Sequence, residues 1–170
     1  MGPLAGAVVI ALICLYLLLV RRAPVNAAAF GLVASSGWVA SEFFKIIVAR
    51  HRPVPALLFD PLSPETGSNS FPSGHTCFAI ALACGLYVLA RGSRWARPAV
   101  VAATMMAFAV AWSRVYIGVH YPSDVVASFP AAIAAVILVA GLWNRFAPSL
   151  PVRYPSASGP GKSAPGPSGS

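Results

Sequence analysis

Charged side chains are scarce in this sequence. Of its 170 residues only 9% are charged, and the ionisable groups comprise four acidic residues, twelve lysines and arginines, and three histidines. Four carboxylates are too few for a two-metal hydrolytic site, which needs several of them as ligands. The three cysteines show no CxxC or Cys–His spacing typical of a metal site, so we interpret them as small buried hydrophobic residues.

Hydrophobic residues make up 58% of the chain, which indicates a membrane protein. Polar breaks divide the sequence into five apolar segments of about 16–26 residues, and a helix of about 20 residues spans a bilayer core. We therefore predict an all-α, polytopic bundle of five transmembrane helices. Their approximate bounds are Pro3–Val20, Ala23–Val48, His75–Ala90, Pro98–Ile117 and Val125–Trp143.

The two ends of the chain differ in composition. The first segment has the length of a signal peptide, but no basic region precedes it, and Arg21 and Arg22 follow it as a stop-transfer flank. We expect a retained helix. Residues 151–170 consist mostly of Gly, Pro, Ser and Ala, which is typical of a disordered tail. We therefore assign residues 1–150 to one membrane-embedded domain.

The net charge of +8 is distributed unevenly between the two ends of such a bundle. One end carries only cations: Arg21, Arg22, Arg91, Arg94, Arg97, Arg145, Arg153 and Lys162. The other end carries four cations and four acids: Lys45, Arg50, Arg52, Arg114, Glu42, Asp60, Glu65 and Asp124. The positive-inside rule makes the first end cytoplasmic, with the N-terminus outside and the tail inside. Because the arginines lie in separate turns, we do not expect nucleic-acid binding.

Two polar elements at the outer end suggest an anion site. Lys45 and Arg52 are seven residues apart, so on one helix ended by Pro53 their side chains would project within about 20° of each other. The alternatives are that both cations extend to lipid headgroups, or that Lys45 pairs with Glu42. In FPSGH, Ser73 is placed to cap the third helix, whose first N–H groups and dipole attract anions.

The third polar element is SRVYIGVHYPSD, residues 113–124. Arg114 would end the fourth helix, His120 would lie in the turn, and Asp124 would begin the fifth helix. Asp124 is close enough in sequence to accept a ring N–H from His120, which would fix the tautomer and leave the other nitrogen as a base or nucleophile. Together the three elements would present three cations and two histidines at one end of the bundle.

These residues resemble the three-part signature of the type 2 phosphatidic acid phosphatase (PAP2) superfamily of integral membrane lipid phosphatases. The matching motifs are Lys45-x6-Arg52-Pro53, Pro72-Ser73-Gly74-His75 and Ser113-Arg114-x5-His120-x3-Asp124. The resemblance covers roughly Glu42 to Asp124 and extends through the next helix. Many members of this superfamily have six spans, whereas five are predicted here, and the missing one would be the first.

The resemblance implies a mechanism. His120 would attack phosphorus to form a phosphohistidine, Asp124 would orient His120, and His75 would protonate the leaving oxygen and then activate water. The residues expected to bind the phosphoryl oxygens are Lys45, Arg52, Ser73, Gly74 and Arg114. No metal or other cofactor would be needed. His51 and Arg50 are not motif positions.

The resemblance leaves the substrate open among lipid phosphates. Candidates are a polyprenyl diphosphate, a phosphatidic acid or phosphatidylglycerol phosphate, and a polyprenyl-linked sugar phosphate. Ten arginines against two lysines suggest a GC-rich bacterial source, which favours a decaprenylphosphoryl-phosphoribose phosphatase acting at the outer face of the plasma membrane. The alternatives are a phosphotransferase with an alcohol acceptor, and a non-catalytic membrane protein, which would be expected to have lost a motif residue. The oligomeric state is not predicted.

Overall fold

The described part of the chain folds into five α-helices that pack as a bundle. The structure is a computed structural model and describes residues 3–57 and 69–146. The helices are α1 (Pro3–Leu19), α2 (Pro24–Val48), α3 (Gly74–Ala90), α4 (Ala96–Tyr116) and α5 (Pro122–Phe146). A short 3₁₀ turn at Pro55–Leu57 follows α2. The predicted all-α fold is confirmed, while the tail predicted at 151–170 lies outside the described residues.

The five helices differ in their capacity to cross a membrane. Within the described ranges, α2, α4 and α5 are long and apolar enough to span one. Helices α1 and α3 have 17 residues each, or about 25 Å at 1.5 Å per residue. A hydrocarbon core is about 30 Å thick, so these two helices match only a thinner or locally compressed bilayer. Five helices are thus confirmed, and three of them have the length of a full span.

Large apolar side chains cover the outside of the bundle. Leu12, Ile46, Trp112 and Ile137 are each at least 60% exposed, and they come from four different helices. A soluble monomer rarely exposes contiguous apolar surface on this scale. The apolar outer surface is therefore suited to lipid rather than water.

Helix α3 is the centre of the bundle, because it packs against α2, α4 and α5. Small residues form these contacts, including Ala34, Cys77, Ala81 and Ala132, which are fully buried. Small side chains let helix backbones approach closely, which is the main source of packing energy between helices in lipid. Helix α1 packs mainly on α2, and α4 has little contact with α5.

Contacts along α2 and α3 show that the two helices are antiparallel. Near the end of α2, Lys45 approaches Gly74 at the start of α3, whereas Phe30 packs beside Gly85 near the other end. Ser128 in the first turns of α5 bonds to Ser73, so α5 begins where α3 begins. The ends of α2 and α4 and the starts of α3 and α5 therefore lie together at one end of the bundle.

Helix α2 ends at the predicted bound of its apolar segment and does not continue to Arg52. Its last residue is Val48, and Ala49 adopts a left-handed conformation with φ 45° while its N–H still bonds to the carbonyl of Lys45. Arg52 therefore leaves the helix, and the prediction that Lys45 and Arg52 share one helical stripe is wrong. The physical reason is tertiary. By leaving the helix, Arg50 reaches Asp124 on α5 and Arg52 reaches the carbonyl of Val119.

The close crossing of α2 and α3 depends on Gly37. A Cβ at this position would overlap the carbonyl oxygen of Cys77 and lie 2.7 Å from the Cβ of Ala81. Gly37→Ala should force the helices apart and destabilise the fold by about 1–3 kcal/mol. The check is thermal unfolding in detergent micelles followed by circular dichroism.

Gly141→Ala is the matched control for this prediction, because a Cβ there meets nothing within 4 Å. It should be as stable as the wild type or slightly more stable, since alanine is the better helix former. Equal melting temperatures for the two variants would contradict the tight α2–α3 crossing.

Candidate active site

The predicted site residues all lie at the end of the bundle where α2 and α4 end and α3 and α5 begin. The sequence motifs contribute them from separate elements: Lys45 and Arg52 from the end of α2 and the residues after it, Ser73, Gly74 and His75 from the start of α3, Arg114 from the last turn of α4, and His120 and Asp124 from the α4–α5 turn and the first turn of α5.

His120 lies buried in the turn between α4 and α5, with only 4% of its surface exposed. Gly118 takes φ 78° in this turn, a conformation that glycine adopts without strain. The Nδ1 atom of His120 lies 2.8 Å from the carbonyl oxygen of Ser70. Since a carbonyl can only accept, this contact places the proton of the neutral ring on Nδ1 and leaves the lone pair on Nε2.

Asp124 is fully buried and its carboxylate has three partners. Oδ1 accepts from Nη1 of Arg50 at 2.8 Å, and Oδ2 accepts from the backbone N–H of Tyr121 at 2.9 Å and from the hydroxyl of Ser70. The nearest distance between Asp124 and Nδ1 of His120 is 3.6 Å. The direct hydrogen bond predicted between the two residues is therefore not formed, because the Ser70 carbonyl takes the Nδ1 proton.

Burial of the ring and the nearby Arg52 guanidinium lower the pKa of His120 from 6.5 to about 4. Both effects disfavour the imidazolium, the first by desolvation and the second by repulsion. The Ser70 carbonyl and the Asp124 carboxylate act in the opposite direction, and they only partly compensate. At neutral pH the ring is therefore uncharged, with the Nε2 lone pair available.

Lys45 lies beside the first turn of α3. A Cβ at Gly74 would be 3.2 Å from Nζ of Lys45 and 3.2 Å from Oγ of Ser41, so glycine keeps this space clear. Nζ also pairs with Oε1 of Glu42 at 2.7 Å, which confirms that alternative from the sequence. The Glu42 side chain is half exposed and the Lys45 side chain mostly buried. A cation thus faces the N-terminus of α3, where anions are favoured.

An apolar groove leads away from this end of the bundle. It lies over α3 between α1 and α4 and has a volume of about 950 Å³. His75, Arg114 and Trp38 line its polar end, and the His75 and Trp38 rings are 6.5 Å apart. Its remaining length is almost entirely apolar, and it ends near Trp95. The structure therefore brings His75 and Arg114 together at the mouth of a channel suited to hydrocarbon.

Ser73 occupies the N-cap position of α3, but its side chain makes no capping hydrogen bond, contrary to the sequence prediction. Its hydroxyl accepts from Oγ1 of Thr76 at 3.1 Å, and its N–H donates to Oγ of Ser128 at 3.0 Å. The residue is fully buried. Packing against α5 therefore determines its contacts, and the motif alone does not reveal this.

Sequence reasoning missed three residues that support the site: Arg50, Ser70 and Tyr121. Arg50 is one of few charged residues in the sequence, but no local pattern links it to the carboxylate of Asp124, which lies 74 positions later. Ser70 precedes its motif by two residues, and Tyr121 contributes a backbone N–H and a ring beneath the Arg50 guanidinium at 4.2 Å. All three act through contacts between separate elements.

No group of three or more His, Cys, Asp or Glu side chains that could hold a metal occurs in residues 3–57 and 69–146. The absence of a cofactor in the mechanism remains a prediction.

Comparison with known proteins identifies the family. Residues 24–148 match the PAP2 superfamily, and the chain belongs to it. The sequence is 29% identical over 116 residues to undecaprenyl-diphosphatase BcrC from Bacillus subtilis (strain 168). That match covers 68% of this chain but 55% of BcrC, so the chain spans little more than half the length of this curated relative.

Solved structures show the same architecture. LpxE from Aquifex aeolicus superposes with a TM-score of 0.62 at 25% identity, over 83% of this chain and 88% of LpxE. A transmembrane PAP2-type phosphatidylglycerolphosphate phosphatase from Bacillus subtilis superposes with a TM-score of 0.55 at 26% identity, over 85% and 79% of the two chains. With its membrane-length apolar helices, the protein is an integral membrane protein.

The low pKa of His120 has a testable cause in Arg52. Arg52→Gln removes a cation that disfavours the imidazolium, so the pKa should rise from about 4 towards 6.5. The measurement is an NMR titration of the histidine ring in detergent micelles. Arg114→Gln, which removes a cation not responsible for this shift, is the matched control. An unchanged or lower pKa in Arg52→Gln would rule out repulsion by Arg52.

Proposed function

We propose that this protein is an integral membrane lipid phosphatase that hydrolyses a phosphate ester or diphosphate through a phosphohistidine. One observation carries the proposal. A buried, neutral histidine with its Nε2 lone pair available lies among cations at the end of a bundle from which an apolar groove extends. An amphiphile with a phosphate headgroup matches both parts of this site.

The proposed reaction has two steps. In the first, Nε2 of His120 attacks phosphorus, the bond from phosphorus to the lipid oxygen breaks, and His75 gives that oxygen a proton. In the second, His75 takes a proton from water, whose oxygen attacks phosphorus and releases inorganic phosphate from His120. Asp124 would offset the positive charge on the ring in the intermediate, from 3.6 Å.

The remaining motif residues are proposed to bind the phosphoryl oxygens. Lys45, Arg52 and Arg114 supply three cations from the ends of two helices and the loop after α2, and charge developing on those oxygens is stabilised by such fixed donors. Gly74 allows an oxygen to approach the first turn of α3 closely. The N–H of Ser73 already donates to Oγ of Ser128, so Ser73 would contribute through its hydroxyl, which accepts from Thr76 and retains a proton to donate.

The substrate is proposed to be a polyprenyl-linked or glycerolipid phosphate. The relatives named above act on undecaprenyl diphosphate and on phosphatidylglycerolphosphate, which are both membrane lipids with terminal phosphates. The composition favours a decaprenylphosphoryl-phosphoribose as a third candidate. Phosphate release by the purified protein across a panel of these lipids discriminates among them, and transfer of phosphate to an added alcohol would reveal a phosphotransferase.

The site is proposed to face the outside of a bacterial plasma membrane, with the C-terminus in the cytoplasm. In the structure the turns that carry Arg21, Arg22, Arg91 and Arg94 lie at the end of the bundle opposite His120. Positive charge of this kind marks cytoplasmic loops. The distribution of charge predicted from the sequence therefore supports this orientation.

His120→Ala should abolish phosphate release, because it removes the proposed nucleophile, while leaving the fold intact. His51→Ala is the matched control, since His51 is an exposed histidine outside the three motifs. Residual activity above about a tenth of wild type would exclude His120 as the nucleophile, because losing a covalent catalyst lowers the rate by more than that.

Excess EDTA should not inhibit phosphate release. Inhibition that magnesium or zinc reverses would contradict a metal-independent reaction.

Blocking the groove should affect long lipids selectively. Ala103 lines the groove on α4, and Ala103→Trp would fill part of its volume. Hydrolysis of a long-chain lipid phosphate should fall at least several-fold, while hydrolysis of a short-chain analogue is retained. Ala109→Trp, an exposed position on the same helix outside the groove, is the matched control. An equal loss with both chain lengths would show that the groove does not hold the hydrocarbon.

A further inference from the structure

Ser70 uses all three of its polar groups to connect parts of the site. Its carbonyl accepts the Nδ1 proton of His120 at 2.8 Å, and its hydroxyl donates to Oδ2 of Asp124. Its backbone N–H donates to the carbonyl of Arg50 at 2.9 Å. The residue is completely buried, so water does not compete for these contacts. The position of the Ser70 carbonyl is thus fixed from two sides.

Arg50 contacts both Ser70 and Asp124. Its carbonyl also accepts from the N–H of Asn69 at 3.1 Å. Its guanidinium donates to Oδ1 of Asp124 at 2.8 Å and to Oγ of Ser123 at 2.7 Å, and it stacks on the ring of Tyr121. One residue therefore ties the chain after α2 to residues 69–70 and to the start of α5.

The distances show whether Asp124 acts on His120 through a direct hydrogen bond or through Ser70. A direct hydrogen bond would bring Oδ2 to about 2.8–3.0 Å from Nδ1. The observed separation is 3.6 Å, and Oδ2 is already occupied by the hydroxyl of Ser70 and the N–H of Tyr121. The carboxylate therefore sets the position of Ser70, and Ser70 makes the hydrogen bond.

We propose that Ser70 is the positioning residue for His120: its carbonyl holds the Nδ1 proton and so directs Nε2 towards phosphorus, while Asp124 and Arg50 hold Ser70 in place. The inference rests on the proposed function, since it assigns the atom that attacks. It also assigns a role to Arg50, which orders the site through its contacts with Ser70 and Asp124. Proton and charge remain balanced, because Nδ1 keeps its proton throughout both steps.

The direct test is the tautomer of His120 in the full-length protein, measured by long-range ¹H–¹⁵N NMR in detergent micelles at pH 7 and assigned by comparison with His120→Asn. Wild-type protein should show the Nδ1–H form. In Ser70→Ala the carbonyl loses its tie to Asp124, and a mixture of tautomers should appear. Ser70→Thr keeps a hydroxyl and should restore the wild-type form. An Nε2–H tautomer in the wild type would overturn the proposal.

Kinetics provide the second readout. In Ser70→Ala, kcat should fall about 10- to 100-fold through loss of orientation, with KM within about twofold of wild type. Ser70→Thr should recover most of the loss. Ser35→Ala, which removes a hydroxyl that donates to the carbonyl of Gly31 within α2, should leave kcat and the tautomer unchanged. Unchanged kcat and tautomer in Ser70→Ala would overturn the role of its hydroxyl.

A second variant, Arg50→Gln, tests the proposal in case Ser70→Ala does not fold. Arg50→Gln removes the guanidinium from Asp124 and should produce the same tautomer mixture and loss of kcat. An unchanged tautomer in this variant would overturn the role of Arg50.

The measurements distinguish failure of the proposed function from failure of the positioning role of Ser70. Wild-type protein with the Nδ1–H tautomer and no phosphate release on any lipid would overturn the proposed function, whereas phosphate release with the Nε2–H tautomer would overturn the positioning role alone.

Discussion

The buried carboxylate of Asp124 is the constraint on which the rest of the site depends. A charge without solvent is costly unless it is paired and its oxygens are hydrogen-bonded. Here the partners come from three separate places: Arg50 in the chain after α2, Ser70 before α3, and Tyr121 in the turn between α4 and α5. Satisfying one carboxylate therefore fixes these three segments relative to each other, and His120 is placed by the same contacts.

The sequence was a good guide to which residues meet, because helix length and alternating direction decide which helix ends share a face. Lys45, His75 and His120 are brought to one end in this way. It was a poorer guide to how they meet. Contacts between distant elements, such as Arg50 with Asp124, determine three details that no local pattern encodes. These are the end of α2 before Arg52, the lack of a side-chain capping bond at Ser73, and the hydrogen-bond partner of Nδ1 of His120.

The site combines two environments that favour opposite kinds of chemistry. Around His120, burial and the Arg52 cation keep the ring uncharged at neutral pH, as a nucleophile requires. His75 lies at the same end of the bundle, where it is half-buried and lines the apolar groove. These unlike surroundings match the proposed roles, in which His120 is the nucleophile and His75 is first an acid and then a base.

The position of α1 in the bundle has a consequence for the groove. This helix forms one wall of the groove but packs mainly on α2, whereas the polar residues around His120 are held by α2, α3, α5 and the α4–α5 turn. A different side chain on this wall would change the width of the groove and leave the hydrogen bonds around Asp124 in place. On the proposed function, the lipid headgroup and the hydrocarbon tail would therefore be recognised by separate parts of the bundle, so that selectivity for each could change independently.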